Sequence, residues 1–275
     1  MINVIYSAND KYFKMLYISA LSMAMRTKES LCVYVMTLTC KTSKSDYFAI
    51  KQEQVDYLEE TLKNYNKDSK AVLVNMQELY DQFLLHNKNH NTSYSPYTLL
   101  RLLTTYVPYL PSKLIYIDTD TMVYNDIKEL YDFDLQGNEI GAVQDAMGHY
   151  FFGRTYCNAG VLLLDLDKIK ESKLFDKCIK YVMTKRSIMP DQDAINYSTK
   201  KKILLPRKFN EQRGMQQDTV VKHFCKVLKF LPYMHTVNVK QLDFEKVHKV
   251  LKIHEFDDVF EEYEKLREGH ENLLF

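Results

Sequence analysis

Apolar residues recur along the chain in short runs separated by polar or turn-forming stretches. The runs rich in β-branched and aromatic residues, at 3–6, 31–37, 71–75, 113–117, 140–143 and 160–165, read as strands buried on both faces. Between them the apolar period lengthens. Residues 11–25 carry Tyr12, Met15, Leu16, Ser19 and Met23 on one helical stripe, and 45–65 carry Tyr47, Ile50, Val55, Leu58 and Leu62 on another. A third helix is predicted over 95–106, with Ser95 as N-cap and Pro96 at the first helical position. Strands alternating with helices predict an α/β fold, a mostly parallel central sheet with helices on both faces. In such sheets ligands bind beyond the carboxyl ends of the strands, which directs attention to the residues after Tyr6, Ile117 and Val143.

From Leu242 onward the pattern is helical, and Phe256, Val259, Phe260, Tyr263 and Leu266 share one face. This predicts a main domain over 1–241 and a C-terminal helical extension over 242–275, packed on or beside it. Packing is the ordinary role of such a stripe. The sharper alternative is a weak peripheral-membrane or homo-oligomer contact, against which stands a polar side that is acidic as well as basic.

Composition narrows the class. The 275 residues suffice for one large domain, and 46% hydrophobic with 27% charged residues is an ordinary globular balance. Lys plus Arg number 37 against 36 Asp plus Glu, and a net charge of +1 argues against nucleic acid as a partner. The five cysteines, Cys32, Cys40, Cys157, Cys178 and Cys225, form no CxxC pair, so neither a disulfide scaffold nor a zinc knuckle is expected. There is no apolar run of bilayer length and no signal-peptide pattern, so the expected setting is the cytoplasm or its inner membrane surface.

The strongest chemical signal is Asp118-Thr119-Asp120, directly after the apolar run ending at Ile117. At a strand end alternate side chains point the same way, so the two carboxylates converge. A divalent cation relieves their repulsion most simply, and a hard ion with oxygen ligands can also bridge a diphosphate. From these residues alone two other readings stay open. The carboxylates could cap the next turn. With Thr121 they also match the D-x-D-x-T nucleophile motif of haloacid-dehalogenase-like phosphatases, although those enzymes carry it on the first strand of the core.

Other motifs accompany this turn in a definite order. Ile5-Tyr6-Ser7-Ala8-Asn9-Asp10-Lys11-Tyr12 ends the first strand, and Arg101 stands seventeen residues before Asp118. Gln144-Asp145 follows a strand, and Cys157-Asn158-Ala159-Gly160-Val161-Leu162-Leu163-Leu164 opens another. Asp191-Gln192-Asp193 follows Pro190 at a helix start, and Lys222-His223-Phe224-Cys225-Lys226-Val227-Leu228-Lys229 lies further on. Together they resemble glycosyltransferase family 8, the retaining enzymes of galactosyltransferase, glycogenin and bacterial lipopolysaccharide type, from residue 2 to about residue 240.

That resemblance implies a GT-A-type nucleotide-sugar-binding domain and transfer of a hexose from a UDP-sugar to a hydroxyl of a saccharide or glycoconjugate. Asp118, Asp120 and His223 would hold Mn²⁺ (or Mg²⁺). Ser7 and Asn9 would meet the uracil edge, Tyr12 would stack on the base, Ala8 and Thr119 would join them in binding the nucleotide, and Lys229 would reach its diphosphate. Arg101, Asp145, Asn158, Ala159, Asp191 and Gln192 would line the sugar site, with Gln192, Asp191 and Asp145 nearest the chemistry. The chain departs from the family where Lys11 and Lys226 replace the usual Asn and Gly. A front-face mechanism is implied, with double displacement through Asp191 as the other route. The competing readings are a non-catalytic nucleotide-sugar-binding protein of the same fold and a DxDxT phosphatase.

Overall fold

β-Branched and aromatic residues without polar interruption make the central strands, and their alternation decides which side each residue serves. Val4 and Tyr6 face one core, with Ile115, Ile117, Val161 and Leu163. Ile5 faces the other, with Leu114, Tyr116, Leu162 and Leu164. The sheet is thus buried on both sides, as continuous apolar runs require. The computed structural model describes residues 1–43, 45–90, 95–229 and 235–274, except the side chains of residues 228 and 229.

The strands are β1 (Ile2–Ser7), β2 (Leu31–Thr37), β3 (Cys40–Lys41), β4 (Asp46–Tyr47), β5 (Lys70–Asn75), β6 (Lys113–Ile117) and β7 (Thr121–Val123). They continue as β8 (Ile140–Gln144), β9 (Cys157–Asp165), β10 (Lys202–Leu205), β11 (Val221–His223), β12 (Val227–Lys229) and β13 (His235–Val237). Among the described residues the main sheet has the order β10-β8-β9-β6-β1-β2-β5. All its strands run parallel except β9, which is antiparallel to β6 and β8. Two-stranded ribbons pair β11 with β7, β12 with β13 and β3 with β4.

The first helix spans Phe13–Arg26 and buries Met15, Leu16, Ser19 and Met23, while Tyr12 precedes it and stays 45% exposed. The segment Pro96–Tyr106 starts as predicted, with the Ser95 hydroxyl accepting from the Tyr97 N–H, but winds as a 3-10 helix. The expected helix over 45–65 is corrected at its start, because the helix runs over Gln52–Tyr65. Its expected first turns bond elsewhere: Asp46 and Tyr47 pair with Lys41 and Cys40, and the Ile50 N–H donates to the Thr37 hydroxyl.

Beyond residue 242 the helix Asp257–Arg267 turns Phe256, Val259, Phe260 and Tyr263 into the same core as the helix Phe13–Arg26. The stripe is therefore internal packing rather than a face open to a membrane or a second copy. No helix of the described residues is long and apolar enough to cross a membrane.

Candidate active site

The reversed strand β9 decides where the chemistry collects. Because it runs against its neighbours, its first residues meet the carboxyl ends of β8, β6 and β1 along one edge of the sheet. A register shift between Ala142 and Gln144, opposite the start of β9, loosens the ladder there. Asn158, Ala159 and Gly160 thus lie between Asp145 and Asp118, and the Asp118 N–H donates to the Gly160 carbonyl at 2.8 Å. A cavity of about 700 Å³ opens over this edge. Ser7, Ala8, Asn9, Tyr12, Arg101, Asp118, Thr119, Asp120, Asp145, Asn158, Ala159, Asp191, Gln192 and His223 all line it. The Lys229 side chain lies outside the described residues.

At one end, ligand atoms of Asp118, Asp120 and His223 come within 4.8 Å of one another. His223 arrives through the ribbon, where it pairs with Thr121, and the Phe224 N–H donates to the Asp120 carbonyl at 2.8 Å. The turn itself is pinned from behind. The Thr121 hydroxyl donates to the Asp118 carbonyl at 2.9 Å, and Ser19 and then Tyr6 continue that hydroxyl chain into the core. Gln241, fully buried, donates to the Thr119 carbonyl at 2.6 Å. Gly160 leaves the space: a Cβ there would stand 2.3 Å from the His223 ring and 2.9 Å from Asp118 Oδ2.

The charges are compensated unevenly. Arg101, 1% exposed, donates from one terminal nitrogen to Asp118 at 2.8 Å and lies 3.2 Å from Asp191. Its other donors go to the carbonyls of Thr98 and Ala159, so the guanidinium ties two carboxylates to the backbone. Tyr116, whose phenol burial pushes well above its ordinary value, stays protonated and donates to Asp118 at 2.9 Å. Asp118 Oδ2 makes no hydrogen bond among the described residues. Asp120 faces His223 Nε2 at 3.2 Å and the Lys240 ammonium at 2.5 Å. Burial would raise the Asp120 carboxyl, yet His223, whenever its ring is protonated, and Lys240 hold it well below the usual carboxylate range. Burial pushes Asp191 up, with Arg101 opposing.

A second group of ligand types, His248, His254 and Asp257, lies in the C-terminal segment. Its imidazoles stack 4.4 Å apart at 22°, so their in-plane lone pairs run along near-parallel planes rather than to one point. His248 Nε2 donates to Asp257 at 2.6 Å instead.

At the other end of the cleft Asp145 is the hub. Its Oδ1 accepts from the N–H groups of Met147 at 3.0 Å and Gly148 at 2.6 Å. Its Oδ2 accepts from Asn158 at 3.0 Å and Gln192 at 3.1 Å. The Gln192 carbonyl accepts from the Ala159 N–H at 3.0 Å. Asp191 and Gln192 reach the cavity from the first turn of the helix Pro190–Ser198.

The β1 loop forms the third wall. Asn9 accepts from the Tyr12 N–H at 3.1 Å and so caps the 3-10 turn Asp10–Tyr12, which leaves the Tyr12 ring at the cavity mouth. Ser7 Oγ is buried with no hydrogen-bond partner among the described residues. Sequence reasoning missed Lys240, Asn210 and the steric role of Gly160. Lys240 and Asn210 carried no motif signal, and Gly160 read only as part of the strand opening.

The model of glycosyl transferase family 8 matches residues 3–231. The chain is a family 8 glycosyltransferase. It is 24% identical over 264 residues to a Haemophilus influenzae protein named as a glycosyltransferase, covering 83% of this chain and 72% of that one. It is 32% identical over 117 residues to the lipopolysaccharide 1,2-glucosyltransferase of Escherichia coli, but this spans 36% of the chain and 33% of that protein. Among solved structures, the galactosyltransferase LgtC with donor and acceptor sugar analogs aligns over 94% of this chain and 100% of its own, with a TM-score of 0.60 at 20% identity. GlyE of Streptococcus pneumoniae aligns over 96% of the chain and 63% of its own, with a TM-score of 0.63 at 16% identity. The fold is thus that of the GT-A glycosyltransferases, and glycosyl transfer is the activity of the family 8 protein. Its Asp-Thr-Asp turn lies inside the matched region, and Thr121 points into the core beside Ser19, which removes the phosphatase alternative.

Proposed function

We propose that the cleft moves a hexose from a UDP-sugar to a hydroxyl of a saccharide or glycoconjugate, with retention at the anomeric carbon. The observation that carries this reading is the convergence of Asp118, Asp120 and His223 at the strand-end cavity, around a glycine whose Cβ would occupy their space. Carboxylate and imidazole donors together suit Mn²⁺, and Mg²⁺ is the alternative. Bound there, the ion would offset charge developing on the departing diphosphate.

The chain's own residues do the rest. Tyr12 offers a ring face to the base, and Ser7 Oγ and the Ala8–Asn9 backbone offer polar groups to its edge. Lys240, beside Asp120, brings positive charge toward the phosphates. Asp191, Gln192, Asp145, Asn158 and Ala159 bound the sugar. Arg101 holds one oxygen of Asp191 at 3.2 Å, which makes that carboxylate a poor nucleophile and favours front-face transfer, in which the leaving phosphate takes the acceptor's proton.

The test measures UDP release from a panel of UDP-hexoses with Mn²⁺, without it and with excess chelator. Release that requires the ion is expected. Release undiminished by chelator sinks the metal assignment, and UDP binding with no donor turned over would favour a non-catalytic nucleotide-sugar-binding protein.

A further inference from the structure

A chain of amide hydrogen bonds links the sugar end of the cleft to the metal end, and its direction can be worked out atom by atom. An ionised carboxylate only accepts, so the Asn158 atom 3.0 Å from Asp145 Oδ2 is its NH₂ group. Asn158 Oδ1 is thereby turned to accept from the Gly160 N–H at 2.9 Å and from Asn210 at 2.9 Å. The Asn210 group that reaches it is therefore also NH₂. Asn210 Oδ1 is left 3.1 Å from His223 Nδ1, where it can only accept. Reversing either amide would set acceptor against acceptor or donor against donor, in a place where Asn210 is fully buried.

We propose that Asp145, through Asn158 and Asn210, fixes the tautomer of His223, with the proton on Nδ1 and the lone pair of Nε2 directed at Asp120. Asn210 is a positioning residue acting through His223. In this tautomer the neutral ring and Asp120 Oδ1 face each other 3.2 Å apart as two acceptors, an arrangement that calls for a cation between them. The opposite tautomer would donate Nε2–H to Asp120 and close that position. The same Asp145 oxygen accepts from Gln192, so one carboxylate orients an amide beside the sugar and an imidazole beside the metal. The purpose of the bare Nε2 rests on the metal reading above, whereas the tautomer itself is a property of the protein without ligands.

The experiment is ¹⁵N NMR of histidine-labelled, metal-free protein at a pH where the ring is neutral, with the His223 signals assigned as those lost in His223→Asn. Wild type should show the Nδ1–H form. Asn210→Leu should move His223 to the Nε2–H form and weaken Mn²⁺ binding by roughly 10–100-fold, the scale for losing an outer-shell partner. Asn210→Asp keeps an acceptor for Nδ1–H and should hold the tautomer, which a merely space-filling asparagine would not predict, while its second oxygen, set against Asn158 Oδ1, should leave the Mn²⁺ affinity only partly restored. An Nε2–H ring in wild type overturns the inference whatever the variants do, and so does an Nδ1–H ring that survives Asn210→Leu. If wild type shows the Nδ1–H ring but binds no Mn²⁺, the metal reading fails and the tautomer assignment stands.

Discussion

The two ends of the cleft handle buried carboxylates in opposite ways. At the sugar end Asp145 accepts from two backbone N–H groups and two side-chain amides, all neutral donors already in place. At the metal end Asp118 and Asp120 are balanced by cations, Arg101 on one and Lys240 on the other, with His223 between. Neutral donors saturate a carboxylate and make it a rigid orienting post. Cations balance charge while leaving lone pairs to give, as at Asp118 Oδ2. One end is organised in advance, and the other keeps its capacity to coordinate.

Four substitutions can break or sharpen that contrast. Arg101→Met removes the single cation shared by Asp118 and Asp191 and leaves buried charge unpaired, so stability measured by urea unfolding should drop by about 3–5 kcal/mol. A drop under about 1 kcal/mol would show that water, not Arg101, balances those carboxylates. Asp120→Ala should cut kcat by on the order of 10²–10³-fold, the cost of losing one charge-stabilising group, and should abolish saturable Mn²⁺ binding in calorimetry. Unchanged turnover would remove the metal end from the chemistry.

Gly160→Ala tests space rather than charge. The added methyl meets the His223 ring, so Mn²⁺ affinity should fall by roughly 10–100-fold while the far-UV circular dichroism stays that of wild type. Equal affinity would mean that the ring moves aside without cost. Tyr12→Ala, at the rim and away from both carboxylate groups, should weaken UDP by about 1–3 kcal/mol, the usual worth of base–aromatic stacking, and leave stability untouched. Calorimetry showing wild-type UDP affinity would take Tyr12 out of the site.

Much of the frame was legible because burial on both faces writes itself as uninterrupted apolar residues. Leu31–Thr37 and Lys113–Ile117 have the predicted bounds, and the first helix buries Met15, Leu16, Ser19 and Met23 of its predicted stripe. What escaped shares one cause, dependence on a distant partner. β10 is four residues at the sheet edge with Leu204 exposed, too short and too mixed to stand out. Residues 45–51 have helical spacing, yet their backbone finds better partners in Lys41 and Thr37. An apolar run carries no sign of direction, so the reversal of β9 was invisible.

By itself the sequence determined the alternation of strands and helices, the carboxylate pair at Asp118 and Asp120, and, through its ordered motifs, membership in family 8. Those are local or collinear properties, readable from neighbours along the chain. Only the tertiary structure decided that β9 runs backward, that His223 is laid over Asp120 by pairing with Thr121, and that Lys240 neutralises Asp120 from 120 residues away. It alone also placed Asn210 between Asn158 and His223. Hydrogen-bond direction and charge balance depend on separations in space, and no periodicity in a linear pattern encodes them.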